Sequence, residues 1–581
     1  MLQGDVGLEL GARVASALRS LDVDITPAQA LVRPSSRDGV DYQCNVAMSL
    51  GKQLGKPPRD VAQAIVDRLD ADDMVSGLEI AGPGFINITL NDAWLPTQVA
   101  SLLGDPRLGV PVVEPRRFAI DYSSPNVAKE MHVGHLRSSI IGDAILRMLR
   151  FAGHEVIPHN HLGDWGTQFG MLIEHLVDEG WTAEQEASQH SISDLNSLYQ
   201  AARKKFDADA DFATRARNRV VLLQGGDEET LSLWRELVEE SNRHFDKVYE
   251  LLGIELEPSD TYGESFYNPV LANVIEELEA NGLTEVSDGA LCVFPPGFTN
   301  REGDRLPLIV RKSGGGYGYA TTDLATARYW TQDRGATDLL YVVGTPQAQH
   351  FKMIFEAARQ AGWLHEDNSA VHIGFGSILG EDGKTIRTRA GDSIKLVELL
   401  SESIERAAAN VAERSELDDA QRADVARAVG IGAVKYADLS SDREKDYVFS
   451  WDRMLAMDGN TAVYLQYANT RILSILRKAT NAPSGSTLVQ LDEPAERELA
   501  LQLLQWPPAL DAAIQSYAPH KLCGYLYETA TAFSGFYEKC PILAESTPES
   551  VRKSRLVLAQ LTSNVLTLGL SLLGIAAPER L

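Results

Sequence analysis

Cysteine is scarce in this chain. Its 581 residues include 4, at Cys44, Cys292, Cys523 and Cys540, and no two form a CxxC pair. That spacing predicts neither a structural zinc site nor a disulfide framework, and a reducing cytoplasm is the default compartment. Long apolar runs are missing as well: none approaches the ~20 residues that span a bilayer, so no membrane partner is expected. The opening residues, MLQGDVGLEL, have neither a basic flank nor an apolar stretch, so no secretion signal is expected. The chain has no internal repeat and no long low-complexity segment. Positive charge is in deficit: 54 Lys and Arg stand against 81 Asp and Glu, a formal net charge of -27. Spread evenly, that excess repels polyanions. It opposes a nucleic-acid partner unless basic residues are gathered locally.

What is present is an ordinary globular composition, 44% hydrophobic and 23% charged. The length predicts two to four domains. Residues 1–112 read as a small α+β unit followed by a linker. Within it VAQAIVDRLD has helical spacing, LEIAGPGFINITL sets a Pro-Gly turn between two strand-like runs, and DPRLGVPVVEPRR is rich in proline. From RFAIDYS onward strands and helices alternate, which predicts a parallel sheet with ligands at the strand C-termini. A strand at 117–122 leads to a helix over 135–151; EVIPHN is the next strand, and GDWGTQFG opens the next helix. Charged, helical sequence over about 183–285 reads as an insertion. The alternation resumes with LPLIVRKSGGGYGYATTDLATARYW, DLLYVVGT and AVHIGFGSIL, and after about 395 the pattern is helical to the end. The expected fold class is multidomain α/β. It has a Rossmann-like parallel-sheet domain over 113–395, an N-terminal α+β domain, a helical connector over 396–454 and a C-terminal all-α domain over 455–581.

Four stretches carry chemistry. In SSPNVAKEMHVGHLRSSIIGDAILRMLR, Leu136, Ile140, Ile141, Ala144, Ile145, Met148 and Leu149 recur at helical spacing and predict one apolar face. His132 to His135 then fall at the helix mouth, where unpaired N–H groups and the positive dipole end attract phosphate. Gly134 permits close approach there, and two imidazoles with Lys129 can stabilise charge on a transferring phosphoryl group. The plain alternative is a helix cap with two incidental histidines. Tyr319 and Asp323 stand four apart at a helix start and share a face. A carboxylate so placed can pair with a guanidinium or merely complement the helix dipole. GEDGKTIRTRAGDSIKL sets Lys384, Arg387 and Arg389 after a Gly-rich turn, as a phosphate-binding loop or a plain surface loop. YLQYANTRILSILRK interleaves Tyr464, Tyr467, Arg471, Arg477 and Lys478, a pattern suited to unstacked bases and phosphates or to the solvated face of a bundle.

Together these stretches resemble the arginyl-tRNA synthetases, a class I aminoacyl-tRNA synthetase family, in order and over essentially the whole chain. The His-x-Gly-His signature and its long flanks match at 123–143. The resemblance implies that His132 and His135 contact the ATP phosphates, with Pro125, Val133, Gly134, Gly376 and Thr388 also at the ATP site. It implies that Asp121, Ser123 and Asn126 hold the α-amino end of arginine and that Tyr319, Asp323 and Gln347 form its side-chain pocket, with His350 and Phe351 continuing that stretch. Residues 384–388 align with the family's Lys-Met-Ser-Lys-Ser loop but place Arg387 where the second lysine belongs, and Lys129 is expected to compensate. HLGDWGTQFG also matches the family, and its Gly-Asp-Trp-Gly loop is expected to line the active site, or else to be a turn with a buried Trp.

The tail, ending in LGLSLLGIAAPERL with Leu581 where the family often has Met, resembles its anticodon-binding domain. Tyr464, Gln466, Tyr467 and Arg471 would then touch tRNA, and Phe85 and Asn87 would touch its outer corner from the N-terminal domain. The implied activity is ATP-dependent ligation of L-arginine to tRNA(Arg) through arginyl-adenylate. Mg2+ would be carried on the phosphates, with no structural zinc, in a cytoplasmic monomer. TRNA-independent nucleotidyltransferases share the His-x-Gly-His helix but are usually short and lack such a tail. A non-catalytic RNA-binding paralogue would have no need of Asp121, Asn126, Tyr319, Asp323 and Gln347 together.

Overall fold

Five short strands after residue 113 form one parallel sheet, in the order Ser369–His372, Asp338–Tyr341, Arg117–Asp121, Glu155–Leu162, Thr261–Gly263. The central strand, RFAID, is buried from Phe118 to Asp121, as expected where helices cover both faces. From it the chain builds outward first to one side and later to the other. Its C-terminal end is therefore a topological switch point, where open α/β sheets bind ligands. Tyr341, Asp121 and His159 stand side by side in the sheet at that end.

The computed structural model describes residues 4–37, 39–181, 195–384, 386, 394–412, 417–479 and 487–581. The chain divides into two compact units. One comprises Met1–Val112, Val411–Val429 and Leu455–Leu581, the other Val113–Asn410 and Gly430–Met454.

In the sheet-bearing unit, three expectations change. The helix after the central strand, Val133–Ala152, is buried on nearly every side, not along one face. Two of its buried charged side chains form ion pairs, which offset the cost of burial: Arg137 with Asp438 at 3.1 Å and Asp143 with Arg147 at 2.7 Å. Leu308–Arg311 does not join the parallel sheet; it pairs antiparallel with Ala290–Val293 in a separate three-stranded sheet completed by Thr284–Ser287. Periodicity marks a strand but not its partner. The inserted segment forms the helices Leu195–Ala208, Ala210–Gly225 and Glu228–Leu252, but the chain is back in the parallel sheet by Thr261, beside Asn160.

The other unit contains a four-stranded antiparallel sheet in the order Val32–Pro34, Tyr42–Cys44, Phe85–Leu90, Val75–Ala81. It also contains five C-terminal helices, Ala462–Lys478, Pro494–Leu503, Trp506–Gln515, Pro519–Lys539 and Glu549–Leu572. The sheet is tied to the helices by Arg497, whose guanidinium donates to Asp41 at 2.6 Å, to Asp92 at 2.8 Å and to the Leu90 carbonyl at 3.1 Å. Gln505 donates to the Tyr42 hydroxyl at 2.6 Å. The last helix comes nearest to a membrane span among the described residues, with a mean hydropathy of 1.2 over 18 residues, yet 72% of that window is buried in the protein.

Candidate active site

The two signature histidines cap their own helix. His132 is the N-cap residue, extended at φ -115. Its Nδ1 accepts from the Gly134 N–H at 3.0 Å, and its own backbone N–H donates to His135 Nδ1 at 3.1 Å. This is a capping box built from imidazoles. Because both Nδ1 atoms accept, the network assigns the proton of each ring to Nε2. Each ring is left with one outward donor. Gly134 is required by this fold of the ring: a Cβ there would lie 2.8 Å from His132 Cε1.

The loop that leads into the helix is held in an uncommon backbone state. Ser123, Ser124 and Ala128 all have positive φ, at 72, 48 and 62 degrees, which costs energy for L residues and persists only where surroundings enforce it. Here they do. Ser138 Oγ accepts from the Ser123 N–H at 2.9 Å, Asn160 Oδ1 from the Ser124 N–H at 3.1 Å, and Ser241 Oγ from the Ala128 N–H at 2.9 Å. Tyr249 and Ser123 share a hydroxyl bond of 2.8 Å. Ser241 and Tyr249 belong to the helix Glu228–Leu252, so the inserted segment buttresses the site.

A cavity of about 530 Å³ opens at the switch point. It gathers Asp121, Ser123, Asn126, Gly134, His135, Tyr319, Asp323 and Gln347 from the expected set, with His350 and Phe351. Three carboxyl groups face it, Asp121, Glu264 and Asp323, and among the described residues no Lys or Arg lines it. Asp121 accepts from Ser124 Oγ at 2.9 Å and from the His161 N–H at 3.3 Å. Burial nonetheless lifts its carboxyl to about 6. Glu264 is pushed up to about 8, first by burial and then by the charges of Asp164 and Asp323. Asp323 meets His350 Nε2 at 2.6 Å, and that bond raises the His350 imidazole. His135 is lowered to about 4 by burial and by His132; His132 is lowered by burial and by Lys129. A cation-accepting cavity thus adjoins a helix mouth that presents two neutral N–H donors.

Other expected residues fall elsewhere. His132 is exposed beside the cavity, and Lys129 lies just outside it. Lys384 is exposed in a turn, with its N–H on Asp382 at 3.1 Å; Arg387, Thr388 and Arg389 lie outside the described residues. Pro125, Val133 and Gly376, expected at the ATP site, are off the cavity wall. Pro125 is buried, the Val133 N–H donates to the Ile394 carbonyl at 3.0 Å, and the Gly376 N–H donates to the Arg443 carbonyl at 2.9 Å. Of the Gly-Asp-Trp-Gly loop, Gly163 lines the cavity, with His161 from the strand just before it. Asp164 instead turns inward and accepts from the N–H and hydroxyl of Ser265.

Sequence reasoning missed Glu264, His161, Thr322 and Phe375. Glu264 lies in TYGESFY, inside the stretch taken as insertion, and only its place just past the fifth strand puts it in the cavity. Among the described residues no group of three or more His, Cys, Asp and Glu is placed to hold a metal ion.

The other unit offers a separate surface. Tyr467 is 45% exposed, and Arg471 sits 4.3 Å over the Tyr537 ring. Tyr464 meets the Ser534 hydroxyl at 3.2 Å. Gln466 and Asn87, expected to touch tRNA, are buried and do not belong to such a surface. Gln466 is fully buried, with its amide on the carbonyls of Ala428 and Ala576. Asn87 is 2% exposed and bonded to Gln43 and Glu79. Phe85 is half-buried.

Comparison with known proteins gives three family matches. These are "tRNA synthetases class I (R), catalytic domain" over residues 98–451, "DALR anticodon binding domain" over 465–581, and "Arginyl tRNA synthetase N terminal domain" over 8–90. The chain is 52% identical over 575 residues to an arginine–tRNA ligase of Thermobifida fusca, covering 98% of this chain and 99% of that protein. It is 52% identical over 576 residues to one of Frankia casuarinae, covering 98% and 97%. The crystal structure of arginyl-tRNA synthetase from Plasmodium falciparum superposes with a TM-score of 0.86 at 30% identity, covering 100% of both chains. The arginyl-tRNA synthetase of Thermus thermophilus does so with 0.80 at 25%, covering 99% of this chain and 100% of that one.

Proposed function

The chain belongs to the arginyl-tRNA synthetase family, and on that premise we propose how its residues divide the work of an arginine–tRNA ligase. The reaction uses ATP to join arginine to tRNA. In the first step an oxygen of the arginine carboxylate attacks the α-phosphorus, the bond to the bridging oxygen breaks, and pyrophosphate leaves. Charge gathers on the α-phosphoryl oxygens in the transition state. The Nε2–H groups of His132 and His135 donate to it there, while Lys129, Lys384 and Arg387 hold the departing pyrophosphate. ATP enters as its magnesium complex, the ion riding on the phosphates. In the second step the 2′-hydroxyl of the terminal adenosine attacks the carbonyl carbon of arginine, and AMP leaves.

The observation that carries the substrate assignment is the trio of Asp121, Glu264 and Asp323 around one cavity, with no Lys or Arg on its wall among the described residues. Asp323 and Glu264 receive the guanidinium, whose planar fork suits carboxylates as an ammonium does not. Asp121, Ser123 and Asn126 receive the α-ammonium, with Tyr319 and Gln347 closing the pocket. Any other side chain leaves buried carboxyls unpaired, and sites built on such groups discriminate by about 10⁴–10⁵ without editing.

Residues 113–395 act as the catalytic domain, 455–581 read the anticodon through Tyr464, Tyr467 and Arg471, and 1–112 meet the outer corner of tRNA near Phe85, with 396–454 as connector. The enzyme acts as a cytoplasmic monomer, a setting supported by four free, buried cysteines. The test is arginine-dependent charging of bulk tRNA by the full chain. Asp323→Ala is expected to weaken arginine binding by at least about 100-fold while ATP binding stays within about twofold; unchanged arginine affinity refutes the pocket assignment.

A further inference from the structure

Lys129 is a long, flexible cation immediately before the helix mouth, and something must hold it there. Among the described residues it has no carboxylate partner. Its Nζ lies instead 4.3 Å above the centre of the Tyr199 ring. The neighbouring acid, Glu130, is occupied elsewhere: Lys395 Nζ reaches it at 2.7 Å and Asn196 Nδ2 at 3.2 Å. Asn196 and Tyr199 are three apart near the start of Leu195–Ala208, hence on one face. One turn of the inserted segment thus bonds Glu130 and sets an aromatic face against Lys129.

The far side of the same segment is pinned too. Val133 N–H donates to the Ile394 carbonyl at 3.0 Å and Leu396 N–H to the Met131 carbonyl at 2.9 Å. The backbone from 129 to 133 is therefore clamped between the inserted helix and the chain that follows the Lys384 loop.

A ring face and a carboxylate do different things to a lysine. A carboxylate fixes it and cancels its charge, so phosphate would have to compete. A ring holds it weakly and leaves the charge in full. We propose that Tyr199 is a positioning residue for adenylation, its ring and not a carboxylate holding Lys129 within reach of the ATP phosphates. This rests on the assignment of Lys129 to those phosphates. Lys129 is close enough to the helix mouth for its charge to be felt by both histidines.

The experiment is arginine-dependent ATP–pyrophosphate exchange by the full chain with tRNA present, for Tyr199→Leu, Tyr199→Phe, Lys129→Met and the pair Lys129→Met/Tyr199→Leu. Tyr199→Leu is expected to lower kcat/KM for ATP by about fivefold with the KM for arginine unchanged. Tyr199→Phe, which keeps the ring, is expected to restore it. On the Lys129→Met background Tyr199→Leu is expected to cost nothing further. A wild-type Tyr199→Leu, an equal loss on both backgrounds, or a Tyr199→Phe as impaired as Tyr199→Leu each overturns the role of the ring. A fully active Lys129→Met overturns the lysine assignment itself.

Discussion

Glu264 and His135 are moved in opposite directions by one cause. Burial disfavours charge, so it raises the acid to about 8 and lowers the base to about 4. Near pH 7 both are neutral before substrate arrives. A guanidinium held as proposed favours the carboxylate form of Glu264, so arginine binding would expel its proton. Affinity for arginine is therefore expected to rise with pH up to about 8, by at most tenfold per unit. Calorimetry in buffers of different protonation enthalpy should register close to one proton released at pH 7, and none in Glu264→Gln. The same shift has a stability cost of definite sign. Between the ordinary carboxylate value and 8 the unfolded chain has lost this proton and the folded chain retains it, so stability falls as pH rises through that window. Glu264→Gln is expected to raise Tm at pH 8 while weakening arginine binding. In the role proposed for it, His135 contributes a donor and not a charge. His135→Ala is expected to lower the adenylation rate by about 10²–10³ with arginine KM within about twofold; a change in affinity alone would remove its transition-state role.

At the scale of elements, the helix mouth can be tested apart from helix stability. Gly134→Ala adds a residue that favours helix by roughly 0.5–1 kcal/mol. Its Cβ would nonetheless meet the His132 ring at 2.8 Å. Tm is expected to hold or rise while kcat for exchange falls by at least about tenfold, with the ring displaced from its capping bond; an active Gly134→Ala would mean that the His132 geometry is irrelevant. This mouth was legible in the sequence because a cap, a glycine and a helical apolar repeat are local signals. The parallel sheet was legible for the same reason, since its strands are short apolar runs between helices. What was not legible depends on distant partners. Leu308–Arg311 reads like any strand, and only its pairing with Ala290–Val293 takes it out of the parallel sheet. Glu264 is one acid among many until Thr261–Gly263 docks beside Asn160–Leu162 and carries it to the cavity. Gln466 and Asn87 are amides that the sequence alone leaves available, but they are bonded inside the fold.

At the scale of the whole molecule the question is how a chain of net charge -27 engages a polyanion. Residues 1–112 and 455–581 belong to one compact unit, joined by Arg497 between Asp41 and Asp92. Deleting either part would strip the other's packed face, so loss of charging by such a truncation would say little about RNA contact. Point changes on the exposed basic and aromatic surface avoid that difficulty. Arg471 lies over the Tyr537 ring close to the exposed Tyr467, and a guanidinium so held can meet a phosphate without first leaving a carboxylate. Each phosphate contact should add roughly −0.7 to −0.9 to the slope of log affinity against log salt. Arg471→Ala is therefore expected to weaken tRNA binding several-fold at 0.1 M salt, to flatten that slope by about one contact, and to leave arginine- and ATP-binding constants unchanged. Filter binding of tRNA across a salt series measures both numbers. A wild-type affinity indifferent to salt would mean that the basic residues of this surface do not meet the tRNA backbone at all. An Arg471→Ala variant with a normal slope would move the contact to another residue.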